Sequence, residues 1–373
     1  LPTSPPSLRS QAPRTLQLPS FLSRKRDRSE VTEIEFVESF KELVHAAGFY
    51  FPDEDLVNLH ISLKTGRLNI LAGKSGIGKS RLPHLYAAAL GCREEFLHIS
   101  VRPDWLDDRD LIGFYNSLAG RFEPGSSGLI DRIIAANSDL EMERGGIYIV
   151  CLDEMNLARV EHYFAQFLSL LERPDPVLTL IPEAVADPKD PYAPYCQLPI
   201  PENLLFVGSV NVDETTHTLS PKVLDRTNVI TFAPPDLSAG KRNNYIPDSL
   251  YPVHYENYRS WKRIAEIDPT DPVLQLLLEI NEAIGVAKLQ IGYRTRDAFL
   301  DYVVNARGLL TEDQAIDRQI LQRILPALRG SRRTFRQAQE NLLKVLPEVR
   351  FPRSHEKLDA MLHAEIDNDF WQV

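Results

Sequence analysis

With 373 residues, 43% of them hydrophobic and 25% charged, the chain has the balance of a soluble globular protein with enough apolar material for two packed units. No run of about 18 apolar residues marks a membrane span and no charged-then-apolar secretory signal opens the chain. Cys92, Cys151 and Cys196 lie far apart, which argues against a disulfide framework or a cysteine zinc site and fits a reducing, cytoplasmic setting. The net charge of -10 gives no general attraction to nucleic acid, although it leaves room for a local basic channel. The start at Leu1 rather than methionine is what a fragment or processed chain lacking an upstream domain would show.

Residues 1–32 are rich in proline, serine and arginine, with Pro2, Pro5, Pro6, Pro13 and Pro19 breaking any periodicity, and read as a disordered arm ending in a basic cluster. Helical spacing begins with Ile34, Phe36, Val37, Phe40, Leu43 and Val44, and a second helix is expected over 55–64. An apolar strand at 68–72, a glycine-rich loop, a helix at 81–90 and a strand at 96–101 follow. Residues 104–128 mix acids, aromatics and glycines without steady period, as an insertion of turns with room for a hairpin would. A helix at 128–142 leads to the continuously apolar run 147–152, a strand covered on both faces. A helix at 160–172, a proline-rich loop at 174–201 and a buried strand at 204–210 complete the series.

Strands alternating with helices give an α/β fold, a parallel sheet flanked by helices. That unit is expected over 33–238, a connector over 239–269, and a smaller all-α lid over 270–373, where Val273, Leu274, Leu277, Ile280 and then Ile320, Ile324 and Leu325 keep helical spacing.

The loop between the first strand and its helix reads Gly73, Lys74, Ser75, Gly76, Ile77, Gly78, Lys79 and Ser80. In this position the pattern is a phosphate-binding P-loop. The glycines let backbone N–H groups curl around a polyphosphate, Lys79 reaches the terminal phosphates, and Ser80 offers a hydroxyl to Mg²⁺. Arg81 opens the next helix and brings the positive end of its dipole to the same place.

A bound nucleotide needs a metal and an activated water. Asp153 and Glu154 end the most apolar strand of the chain, where the first acid can support Mg²⁺ and the second can polarise water; exposed helix-capping carboxylates are the plainer reading. Asn211 follows the strand at 204–210, where a side-chain amide can orient water, although a turn-forming asparagine would look the same. Arg226, near a helix end, can stabilise charge on a transferred phosphoryl group or form an ordinary salt bridge.

Together with Leu152 to Glu161, Val207 to Glu214 and Pro221 to Arg226, the P-loop resembles the motif set of AAA+ NTPases, most closely the McrB-type NTPases of restriction and anti-phage systems. The resemblance covers about residues 55–350. It implies a homo-oligomeric ring, typically a hexamer, that hydrolyses ATP or GTP with Mg²⁺ at subunit interfaces. It also implies a separate nuclease partner and action on DNA through the assembled complex. By position it makes residues 73–80 Walker A, Asp153 and Glu154 Walker B, Asn211 sensor 1 and Arg226 an arginine finger supplied in trans. The segment 105–116 resembles the helix-2 insertion of this clade, and its acids are more simply turn and cap residues than a metal cluster. Residues 291–297 resemble a sensor 2 region, in which Arg294 is favoured over Arg296 as the phosphate contact.

One position departs from the pattern. McrB-type proteins that prefer GTP carry an aspartate three positions after the asparagine, and here that position is Glu214, with Asp213 one earlier. The departure leaves the base preference open, and the resemblance implies ATP, the commoner substrate of the wider class, first, with GTP close behind. A MoxR-like protein-remodelling chaperone shares the insertion and the hydrolytic set and is the alternative.

Overall fold

Chain order explains most of the architecture. Helix α1 (Glu33–Ala46) starts at a capping box in which Thr32 and Glu35 satisfy each other's backbone N–H groups. It is followed by α2 (Asp53–Thr65), β1 (Leu68–Gly73), α3 (Arg81–Ala89) and β2 (Phe96–Ser100). The insertion forms an antiparallel hairpin of β3 (Gly113–Asn116) and β4 (Arg121–Pro124). Gly113 has φ +110°, and a side chain there would lie 2.3 Å from the Glu123 carbonyl oxygen, so the hairpin requires glycine.

Next come α4 (Leu129–Glu141) and β5 (Tyr148–Asp153). The single helix expected at 160–172 is two short ones, α5 (Val160–Tyr163) and α6 (Ala165–Leu170), broken at Phe164. Within the proline-rich stretch β6 (Val177–Thr179) pairs antiparallel with β7 (Gln197–Pro199). The sheet is completed by β8 (Leu204–Asn211), then α7 (Pro221–Leu224) and β9 (Asn228–Thr231), a strand the motif pattern does not single out.

The result is a five-stranded sheet of order β2-β5-β8-β1-β9 in which every neighbouring pair is parallel. Side chains alternate across it with period two. Leu71, Ile149, Leu205, Val207 and Ile230 enter one apolar core, while Ile70, Val150, Leu152, Phe206 and Val229 enter a second on the opposite face. The second core takes in α4 to α6 and the insertion.

The first core is shared by α1 to α3 and the C-terminal helices: α8 (Tyr255–Ser260), α9 (Pro272–Gly285), α10 (Tyr293–Ala306), α11 (Glu312–Gln319), α12 (Arg332–Val345) and α13 (Pro352–His363). Helix α11 runs on into a π turn at Ile320–Ile324. Buried polar contacts tie α2 to this region: Tyr302 and Gln322 both donate to Asn58 Oδ1, at 2.6 and 2.5 Å, and Arg318 pairs with Asp55 at 2.5 Å. The α/β sheet flanked by helices and followed by a helical region is thus the fold the sequence pattern implies.

This is a computed structural model, and it describes residues 31–66, 68–183, 186–212, 217–232, 252–328 and 332–363. Residues 1–30 of the N-terminal arm, 233–251 around the start of the connector, and Asp213 and Glu214 lie outside the described residues. Among the described residues no helix is long and apolar enough to cross a membrane.

Candidate functional site

Strand β1 delivers the chain into the glycine loop at the carboxyl end of the sheet, where β5 and β8 also end. Gly76 sits at φ +85° with open space around it, so backbone conformation is what calls for glycine there. Gly78 has φ +101° and faces the Phe49 ring, 3.0 Å from where a side chain would begin. The loop, Asp153, Glu154 and Asn211 enclose a cavity of about 410 Å³ lined also by Phe49, Ser75, Ser80 and Arg81. Gly73 and Lys74 contribute through their carbonyls, and Ile77 turns inward to the core.

Lys79 is 4% exposed, and its Nζ donates to the carbonyls of Gly73 and Lys74 at 2.8 and 2.6 Å and to Asn211 Oδ1 at 3.0 Å. The other end of the same amide, Asn211 Nδ2, donates to Glu154 Oε1 at 3.0 Å. Asn211 therefore spans Lys79, the candidate phosphate contact, and Glu154, the candidate base.

Asp153 Oδ1 accepts hydrogen bonds from Ser80 Oγ and, at 2.5 Å, from Ser209 Oγ, while Oδ2 lies 3.2 Å from His98 Nε2. Burial pushes this carboxyl up, but the hydrogen bonds from Ser209 and Ser80 and the nearby His98 outweigh it and hold Asp153 below the ordinary carboxylate value. A hydroxyl in contact with a carboxylate held ionised is a donor set of hard oxygens, and it fits Mg²⁺, which takes one or two protein ligands and fills its octahedron with phosphate and water. Among the described residues no cluster of three His, Cys, Asp or Glu side chains forms a metal site of the all-protein kind.

Two residues to which the motifs assign no role support the site, Asn156 behind Asn211 and Phe49 in the cavity wall. Asn156 is 2% exposed and brackets Asn211: its Oδ1 accepts from the Asn211 N–H at 3.3 Å, and its Nδ2 donates to the Asn211 and His217 carbonyls at 2.9 and 3.2 Å. Phe49 comes from the connection between α1 and α2, where the run Phe49-Tyr50-Phe51 is the only sequence signal. Its ring stacks at 6.5 Å on Phe51.

Arg226 and Arg294 do not line this cavity; the structure brings them to each other. Arg226 Nε pairs with Glu172 Oε1, and its Nη1 donates to the Lys222 carbonyl at 2.6 Å. Arg294 reaches the second oxygen of Glu172 at 3.0 Å and also pairs with Asp225. Burial, then the neighbouring Arg294 charge, lowers the Arg226 pKa. Arg323 lies behind the pair on Asn228 Oδ1 at 2.8 Å, where burial pushes its guanidinium down to about 10. Arg296 instead pairs with Asp297 at 2.7 Å and stacks its guanidinium 4.9 Å from the Tyr293 ring centre. In the insertion, Asp110 pairs with Arg102 at 2.9 Å and Asp107 caps the Arg109 N–H at 3.0 Å.

We found no curated protein that matches the sequence. The model of a domain family described only as a domain of unknown function (DUF8727) matches residues 246–370, the helical C-terminal region. Among solved structures, the chain is similar to a protein of Cytophaga hutchinsonii named a "putative ATPase", at 16% identity and a TM-score of 0.46, over 73% of this chain and 80% of that one.

Proposed function

We propose that this protein is an AAA+ nucleoside triphosphatase that hydrolyses ATP, with GTP the second candidate, at interfaces between copies of itself. The observation that carries the reading is the convergence of Lys79, Asp153, Glu154 and Asn211 on one cavity behind a glycine loop. The loop and the N-terminus of α3 offer N–H groups and dipole to a polyphosphate, and Lys79 offers its charge. Ser80 and Asp153 are the residues to hold Mg²⁺, which when bound neutralises charge on the phosphate oxygens. Glu154 is held through Oε1 by Asn211, which fixes its carboxylate to polarise a water and take its proton.

Arg226 and Arg294 lie away from this cavity and share Glu172, so this reading assigns both to the nucleotide of a neighbouring copy, where a guanidinium can stabilise charge on the transferred phosphoryl group. A ring, a hexamer in the McrB-like reading, supplies that neighbour. The same reading makes the chain the motor of a restriction or anti-phage complex that acts on DNA through a separate nuclease subunit; the motif resemblance supports this role. One observation favours the alternative of a MoxR-like protein remodeller. Residues 104–128 carry five acids against two arginines, a balance suited to a protein partner rather than to a phosphate backbone.

Phosphate release measured with ATP and with GTP, each with and without duplex DNA and with a protein client, tests the proposal. Turnover stimulated by DNA supports the McrB-like role, turnover stimulated by protein alone supports the remodeller, and no turnover with either nucleotide contradicts the enzyme.

A further inference from the structure

The ladder between β5 and β8 runs from Tyr148 opposite Leu204 to Leu152 opposite Gly208 and stops there, while β8 stays paired with β1 as far as Asn211. The chain therefore parts from β8 after Leu152 while Asp153 stays paired with Ser100 of β2, and it then leaves the sheet through Glu154, a non-glycine residue in the left-handed region at φ +51°. Gly208 makes room for that departure, because a side chain there would lie 2.4 Å from Met155 Sδ.

At the next position of β8, Ser209 is 2% exposed and stands where the next backbone rung would be. Its Oγ accepts the Glu154 N–H at 2.9 Å and donates to Asp153 Oδ1 at 2.5 Å. One hydroxyl thus joins the backbone of the candidate base to the side chain of the candidate metal ligand. The other donors to Asp153 differ in kind: Ser80 is itself a ligand candidate, and the His98 side chain is 44% exposed. Ser209 comes from the interior of the sheet.

We propose that Ser209 is a positioning residue that sets the Asp153 carboxylate for Mg²⁺ and holds Glu154 in its left-handed turn, so that metal affinity and water activation are fixed by one buried hydroxyl. The inference rests on the nucleotide-hydrolysis reading above and adds to it a residue that does not line the cavity.

The test uses the full chain as wild type, Ser209→Ala and Ser209→Thr. Binding of a non-hydrolysable ATP analogue is titrated with Mg²⁺ and repeated in EDTA, alongside kcat, KM and the melting temperature. Ser209→Ala is expected to bind the analogue in EDTA as wild type does, to need about 10- to 100-fold more Mg²⁺, and to lose about 10- to 100-fold in kcat with KM for nucleotide little changed. Ser209→Thr, which keeps the hydroxyl, is expected to recover most of both. Wild-type Mg²⁺ dependence and kcat in Ser209→Ala overturn the proposal, as do equal losses in both variants that follow a lowered melting temperature. If the wild type binds analogue but never turns it over, the hydrolytic reading falls, and the Mg²⁺ titration of binding still decides the role of Ser209 at Asp153.

Discussion

Asn211 and Glu154 are joined by a hydrogen bond from Nδ2 to Oε1 at 3.0 Å, although 57 residues separate them in sequence. The amide nitrogen donates to the carboxylate and the amide oxygen accepts from Lys79, so one side chain sets the spacing between Lys79 and Glu154. Three strands of the parallel sheet are needed to bring the three residues together.

Lys79→Ala removes the only cation of the loop that lines the cavity. Loss of a charged donor is expected to cost about 3 kcal/mol in nucleotide binding, roughly 100-fold in Kd. Equilibrium titration with a fluorescent ATP analogue reads this, and unchanged affinity would remove the loop from phosphate binding.

Asn156→Ala removes a side chain that is 2% exposed, and with it the hydrogen bonds it makes to the Asn211 N–H and to the Asn211 and His217 carbonyls. A loss of about 1–3 kcal/mol in stability is expected, with a fall in kcat because Asn211 loses its anchor. Chemical denaturation and steady-state rates check the two parts separately. A lower stability with wild-type kcat would show that Asn211 holds its place without Asn156.

Mixing Arg226→Ala with Lys79→Ala tests the shared site. Each variant alone is expected to be inactive, and mixed assemblies should regain part of the activity, because some interfaces then pair an intact loop with an intact arginine. Mixtures no more active than the separate variants would place the action of Arg226 elsewhere.

His60 predicts a pH dependence of stability. The ring is buried between Glu33 Oε1 at 2.9 Å and the Tyr86 hydroxyl at 2.8 Å, and burial lowers its pKa against the partial opposition of Glu33. A histidine harder to protonate in the folded than in the unfolded chain keeps its full contribution above about pH 6.5 and loses it as pH falls through that value toward the depressed one. The melting temperature should therefore drop between about pH 7 and 5, where histidine is the group that titrates. A His60→Gln variant should show a flatter profile, and an identical slope would assign the effect to other groups.

The parts of the molecule legible in the sequence are those fixed by local pattern. β5 is buried on both faces and so is continuously apolar as far as Leu152, β8 opens on the apolar run 204–207, and the glycine loop shows in its own residue pattern. β9 escapes because it opens on Asn228, a polar residue that is buried only because Asn69 and Arg323 bond its side chain. The break at Phe164 escapes because the Tyr163 hydroxyl is anchored on the Met155 carbonyl at 2.8 Å, a contact that helical spacing does not reveal. Ser209 and Asn156 are ordinary small polar residues until β5 and β8 are adjacent. Likewise the position of Arg294 depends on Asp225, 69 residues before it, and on Glu172.

In the proposed function Glu154 drives hydrolysis in a cavity that binds nucleotide without its help. Steady-state phosphate release and analogue binding for wild type and Glu154→Gln, at saturating Mg²⁺, test it most directly. Glu154→Gln is expected to keep wild-type affinity and to turn over about 10²- to 10⁴-fold more slowly, the range for loss of a general base. A variant that hydrolyses at the wild-type rate would contradict it.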